Sequence, residues 1–322
     1  MARKKSNKFV GTFQIFLSSF KTYFLYLDQL LKYMAFPVLG QLISVVLMFT
    51  LAYYFRLHLE GLSANELFAH RINNLYILFF IILFPLILVF MKSFYEYLIA
   101  FTALNTVFYT ANKNKAKKID FKACNAVITR RLGSYIFLML LVSLLLSVPF
   151  FAPIVAFFLT FVFQVFALEN GSSAINSIKR SFQIVAENIV PTLIMLVLCY
   201  IATYEFLPKL FVWVAEKTSV LYFFMNMWEN FFEITIVSSI RDIIDIANST
   251  ISGLNLKIDA ITISRYAVEA TISFIVIAFT LPLRCCCFTE LYRLCDSNKI
   301  KEISKESDEI ISRATGKKRK SD

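Results

Sequence analysis

Two histidines and seven glycines in 322 residues exclude a good deal. Neither histidine stands at metal-site spacing from any of the six cysteines, so no zinc-type cluster can be read. No Gly-rich phosphate loop occurs, and HExxH, GxSxG and CxxC motifs are missing too. Scarce glycine also weighs against a transporter built from broken, closely packed helices. Short segments of alternating polarity are missing, which rules out a transmembrane barrel. No catalytic residues, metal ligands or cofactor site can be assigned from what remains.

What is present is apolar. Hydrophobic residues make up 58% of the chain, Phe alone numbers 35, and the mean hydropathy is +0.66. That composition excludes a soluble domain. Continuous apolar runs in lipid satisfy their backbone groups only as helices. The sequence therefore predicts an all-α, polytopic integral membrane protein of about six transmembrane helices plus amphipathic interfacial helices.

In chain order, residues 1–33 read as a basic tail and an interfacial helix. Phe13, Phe16, Phe20, Phe24, Leu27 and Leu31 recur at three- and four-residue steps, with Gln14, Ser18, Lys21 and Asp28 on the other side. Residues 34–290 form the membrane domain, with crossings near 34–54, 75–110, 132–149, 153–168, 189–214 and 266–288. The second run is too long for one perpendicular span, so it tilts, kinks near Pro85 or projects beyond the membrane. The third and fourth make a hairpin around Pro149 and Pro153, which end the helices there. Residues 172–187 are amphipathic, and the acidic stretch 217–264 carries a further amphipathic helix across 232–247. Residues 291–322 are a polar, basic tail. Cys285, Cys286 and Cys287 read as apolar filler where the last helix meets the headgroups.

Lysine and arginine outnumber acidic residues 33 to 22. They collect before residue 9, between 112 and 131, and at the end of the chain, where topology and anionic headgroups explain them and nucleic acid does not. Six crossings put all three on one side, the cytoplasmic side of a cell membrane, most simply a bacterial inner membrane. The expected partners are membrane lipids with anionic headgroups, met by Lys113, Lys115, Lys117 and Lys118, and a membrane protein or a second copy of the chain.

Two pairs of ionisable residues interrupt apolar runs at helical spacing: Lys92 with Glu96, and Glu205 with Lys209. Charges at membrane depth often mark a polar path. The competing reading is a lysine that reaches the headgroups from a helix end. It is favoured for Glu205 and Lys209; for Lys92 and Glu96 the two readings balance.

The run Ala167-Leu168-Glu169, then Ser172, Ala174-Ile175, Ile178-Lys179-Arg180-Ser181-Phe182 and Asn188, resembles the multi-pass membrane region of bacterial glycerophosphodiester phosphodiesterases and of its stand-alone relatives without the catalytic domain. The resemblance covers about residues 112–214. It implies a hairpin, a glutamate leaving it, an interfacial helix with an Arg-Ser pair, and another crossing. It thereby singles out Glu169, Ser172, Arg180 and Ser181. The enzyme of that family needs a soluble barrel with paired histidines and acidic metal ligands, and this chain has none. Ala69-His70-Arg71 looks like the start of its His-Arg-Gly signature, but Ile72 replaces the glycine and the match is read as coincidence.

The expectation is a non-enzymatic membrane protein that organises lipids or partner proteins. A small transporter or lipid translocator using the Lys92/Glu96 pair is the alternative.

Overall fold

The computed structural model of the chain describes residues 8–63, 69–114, 119–169, 171–233, 244–246, 248–250 and 259–295. These are helical almost throughout, and no strand occurs among them. The helices are α1 (Lys8–Leu25), α2 (Leu27–Ser63), α3 (Ala69–Asn114), α4 (Phe121–Thr129), α5 (Leu132–Leu146), α6 (Ala152–Phe158), α7 (Val162–Leu168), α8 (Ala174–Glu187), α9 (Ile189–Tyr200), α10 (Leu207–Lys217), α11 (Val220–Phe232), α12 (Ala260–Phe279) and α13 (Leu281–Cys295). A π-helical turn, Ile201–Phe206, joins α9 to α10. The expected amphipathic helix across 232–247 lies largely outside the described residues.

Four helical runs are long and apolar enough to cross a membrane: Leu27–Arg56, Leu75–Ala111, Ile189–Lys217 and Ala260–Cys295. A fifth exists if α4 and α5, bent by 75° at Arg130, count as one span. The chain is thus an all-α membrane protein. The six expected crossings reduce to these because of the central hairpin. Its first arm, α5, has 15 residues and rises only ~22 Å, short of a ~30 Å hydrocarbon core. Its second arm breaks at Leu159–Phe161 into two seven-residue helices.

The interfacial helix expected across 9–32 also divides. Tyr23 and Tyr26 both turn inward, and the Tyr23 hydroxyl donates to the Phe279 carbonyl at 3.2 Å. The chain bends at Tyr26, and the remainder becomes the start of α2.

The chain falls into two interleaved compact units. The first comprises residues 1–35, 95–202 and 279–322; the second comprises 36–94 and 203–278.

In the first unit the core is built on the last turns of α3. From Ile99 to Ala111 every residue but Phe101 and Thr110 is buried. The residues themselves permit this: Ala100, Ala103 and Ala111 are small enough for neighbouring helices to approach closely. Helices α1 and α9 pack on α13, and α7 on α8. Tyr292, Phe108, Phe161 and Phe166 are the bulkiest side chains in the interior. Cys285, Cys286 and Cys287 are also buried there, in the core of the bundle. Asp120 caps α4 by accepting the Ala123 amide at 3.0 Å. Tyr33 stacks on Phe121 at 4.3 Å and donates to Asn125 at 2.6 Å, which ties the start of α2 to α4.

In the second unit α2 and α3 run back to back. Gly40 faces Ser93 so closely that a Cβ at Gly40 would lie 2.8 Å from that of Ser93. Further along, Phe55 meets Phe79 at 4.4 Å and Tyr76 at 5.2 Å. From Leu75 to Lys92 no side chain is buried. This stretch is Leu, Ile and Phe with almost no small residues, the composition of a lipid-facing surface. Leu221 and Met225 of α11 pack against Val268 of α12, and Ser264 donates to the Met225 carbonyl at 2.7 Å.

Candidate functional site

The polar groups concentrate at the foot of the α5–α7 hairpin, in the first unit. Arg131 immediately precedes α5. Its guanidinium donates to the Phe166 carbonyl at 2.9 Å, in the last turn of α7, and to the Ser172 carbonyl beyond that helix. It also lies 4.2 Å from the centre of the Phe166 ring. A cation at a helix C-terminus satisfies carbonyls that have no intrahelical partner. Arg131 thereby fastens the residue entering the hairpin to the residues leaving it.

Glu169 follows α7. Its carboxylate accepts the Tyr292 hydroxyl at 2.9 Å and lies 3.5 Å from Nε of Arg180, with side chains 16% and 22% exposed respectively. Gly171, at φ +70°, supplies the left-handed turn that brings the chain back toward α8. There the Ser172 and Ser177 hydroxyls meet at 2.9 Å. Ser173 caps α8 by accepting the Asn176 amide at 3.3 Å. One turn further on, Ser181 repairs the break in the hairpin: its hydroxyl donates to the Phe158 carbonyl at 2.7 Å and accepts the Phe161 amide at 3.2 Å.

Of the residues singled out in the sequence, Glu169 and Ser172 therefore lie in the turn between α7 and α8 with Arg180 paired to Glu169, whereas Ser181 serves the α6–α7 break. Arg131 and Tyr292 join them from 38 and 123 residues away respectively, counting from Glu169.

A second polar cluster lies deeper in the same unit. The Asn105 carboxamide oxygen accepts from Gln164 at 3.3 Å and from Thr289 at 3.1 Å, while its nitrogen donates to the Phe101 and Thr102 carbonyls. Thr102 donates to the Tyr135 hydroxyl at 3.1 Å, and that hydroxyl donates to the Leu98 carbonyl at 2.5 Å. Sequence reasoning passed over Asn105, Gln164 and Thr289. Their signal is an amide or hydroxyl inside an apolar run, Asn105 among threonines and Gln164 and Thr289 among bulky apolar residues.

The other residues singled out stand apart from both clusters. Lys92 is exposed, its ammonium 5.4 Å from the centre of the Phe36 ring. Glu96 is half-buried and enters no ion pair among the described residues. Lys209 and Glu205 form an ion pair at 2.5 Å with side chains 79% and 42% exposed. Exposed i,i+4 pairs of this kind contribute roughly 0–1 kcal/mol. Lys113 lies in the last turn of α3, with its side chain outside the described residues; Lys115, Lys117 and Lys118 are outside them altogether.

Chemically, the clusters hold helices in place. Glu169 and Arg180 neutralise one another, and the serines are engaged with backbone or with each other. Among the described residues no group of three His, Cys, Asp or Glu side chains could hold a metal ion. Comparison with family models, with curated proteins and with solved structures finds no match for this chain.

Proposed function

We propose that this chain is a non-enzymatic integral membrane protein that organises lipids or partner proteins in a cell membrane, most simply a bacterial inner membrane. The observation that carries this reading is the surface of α3. Its most apolar stretch buries nothing against the rest of the chain, whereas the matching stretches of the other three spans bury 28%, 28% and 50%. A helix with only its α2-facing side partly covered offers the rest of its circumference to acyl chains or to a partner helix. What favours this over a translocator is that Glu169 is paired with Arg180 in the first unit, and that Lys92 lies on an exposed face.

Anionic headgroups are the lipids such a protein gathers. Lys113, Lys115, Lys117 and Lys118 supply up to ~1 kcal/mol of attraction each near a charged surface. In vesicles carrying a fluorescent anionic lipid, the wild-type protein should cause self-quenching that falls by half or more when the four lysines become alanine. Equal quenching with and without the lysines would overturn the lipid-gathering reading.

The orientation follows from the same basic residues. Both termini and residues 112–131 face the cytoplasm, and residues 217–264 face outward. A membrane-impermeant thiol reagent added to intact cells should label Asp245→Cys above the wild-type background and leave Lys117→Cys unlabelled. The reverse pattern would invert the topology.

A further inference from the structure

We propose that the α5–α7 hairpin is a re-entrant wedge: it enters one leaflet of the bilayer, turns at Phe150–Phe151, and leaves by the face it entered. Its occupant is the acyl region of that single leaflet. The geometry stands independently of the functional proposal; its consequence for lipid organisation rests on that reading.

Four observations converge on this. The first is the shared foot. Arg131, at the entry, bonds the carbonyls of Phe166 and Ser172 at the exit, so the two ends of the hairpin lie side by side. The second is the reach. Lipid can surround the returning arm only over α6, where none of seven residues is buried; below the break, α7 is buried from Gln164 to Leu168. Seven helical residues rise ~10 Å, and one leaflet of a ~30 Å core is ~15 Å deep. The exposed arm fits one leaflet, and α5, whose 15 residues rise ~22 Å, also stops short of the ~30 Å core.

The third is the tip. Phe150 is 82% exposed and Phe151 54%, on a turn with no charged residue between Leu132 and Leu168 on either side. A turn in hydrocarbon must leave few backbone donors unpaired. Pro149 and Pro153 carry no N–H, the Ser147 amide donates to the Leu144 carbonyl at the end of α5, and the Phe151 and Ala152 amides both donate to the Val148 carbonyl. A tip that reached water on the far side would have no need of this economy of donors, nor of two exposed phenylalanines. The fourth is the entry. Helix α4 meets α5 at 75°, with Lys122, Thr129 and Arg130 exposed and Ala123, Cys124, Val127 and Ile128 buried. The apolar face of α4 thus packs on the bundle while its polar face stays open, so α4 lies across the foot of α5 and does not prolong it.

A body inserted in one leaflet displaces lipid on that side only, so such a hairpin favours membrane that bends away from it.

Depth is the quantity to measure. With Trp213 and Trp228 replaced by phenylalanine in the full-length chain, Phe150→Trp and Phe151→Trp each place one fluorophore at the tip. In vesicles, both should emit at short wavelength and be quenched most by lipids brominated near the ends of their acyl chains. Aqueous iodide, present on both faces, should leave them unchanged. Quenching by iodide, together with strongest quenching by lipids brominated near the headgroup, would put the tip at the opposite surface and overturn the wedge. Two tip positions guard against a fold defect in one, and neither readout depends on lipid gathering by the lysines.

Discussion

Replacing Arg180 with methionine should destabilise the protein by about 3–5 kcal/mol. The change leaves the Glu169 carboxylate 16% exposed, with the Tyr292 hydroxyl as its remaining partner among the bonds described. Breaking a buried pair from one side typically costs that much, because the orphaned charge cannot return to water. Removing both charges, with Arg180→Met and Glu169→Gln together, should recover most of the loss, since Tyr292 can still donate to an amide oxygen. Thermal unfolding of the two single variants and the double variant in detergent gives the coupling directly. Small, additive effects under about 1 kcal/mol would assign the pair to the weak, exposed class.

The second large effect belongs to Gly40. Alanine is the better helix former by about 1 kcal/mol, so on propensity alone Gly40→Ala would stabilise α2. The close approach to Ser93 reverses the sign. A Cβ there would sit 2.8 Å from the Ser93 Cβ and 3.6 Å from the Phe36 ring, and overpacking of this kind costs about 1–3 kcal/mol. Gly40→Val should lie at the upper end of that range and Gly40→Ala near its lower end. Combining Gly40→Ala with Ser93→Gly removes the opposing Cβ and should restore stability to near wild type. A double variant no better than Gly40→Ala alone would show that the two backbones are not in contact at this point.

What was legible in the sequence follows from how local each signal is. Membrane class and helix content are summed over hundreds of residues and survive any local error. The pair of prolines at the hairpin tip acts on the residues beside it, so the turn was placed correctly. The break at Leu159–Phe161 has no such mark. It contains neither glycine nor proline, and the group that satisfies it, Ser181, is 20 residues away. The bend at Tyr26 is similar, for it depends on Tyr23 reaching a carbonyl 256 residues along the chain. Helix α3 is visibly too long for one span, and its change of surroundings is marked only by composition. The information was there: bulky residues up to Lys92, then Ala100, Ala103 and Ala111 interleaved with Thr102, Asn105 and Thr106. Small and hydroxylated residues signal a helix packed on other helices more than one immersed in lipid.

Of the candidate site, Glu169, Ser172, Arg180 and Ser181 share a local pattern; the fold pairs Arg180 with Glu169 at the turn after α7 and puts Ser181 at the α6–α7 break. Arg131 and Tyr292 could not be added, because nothing in their neighbourhoods distinguishes them. Arg131 reads as one basic residue among many, and Tyr292 as one of 15 tyrosines.

The order in which the first unit receives its parts has a consequence for synthesis. Its interior is closed by α13, which supplies Thr289 to Asn105 across 184 residues and Tyr292 to Glu169 across 123. Helix α1, made first, packs mainly on α13 and α9. A ribosome adding ~5–20 residues per second therefore needs on the order of ten seconds or more between Asn105 and its threonine. Throughout that interval the buried turns of α3 have no completed bundle to enter. Polar side chains waiting in a membrane are what insertion factors and quality-control proteases act on, so the nascent chain is most vulnerable just before its last described helix emerges.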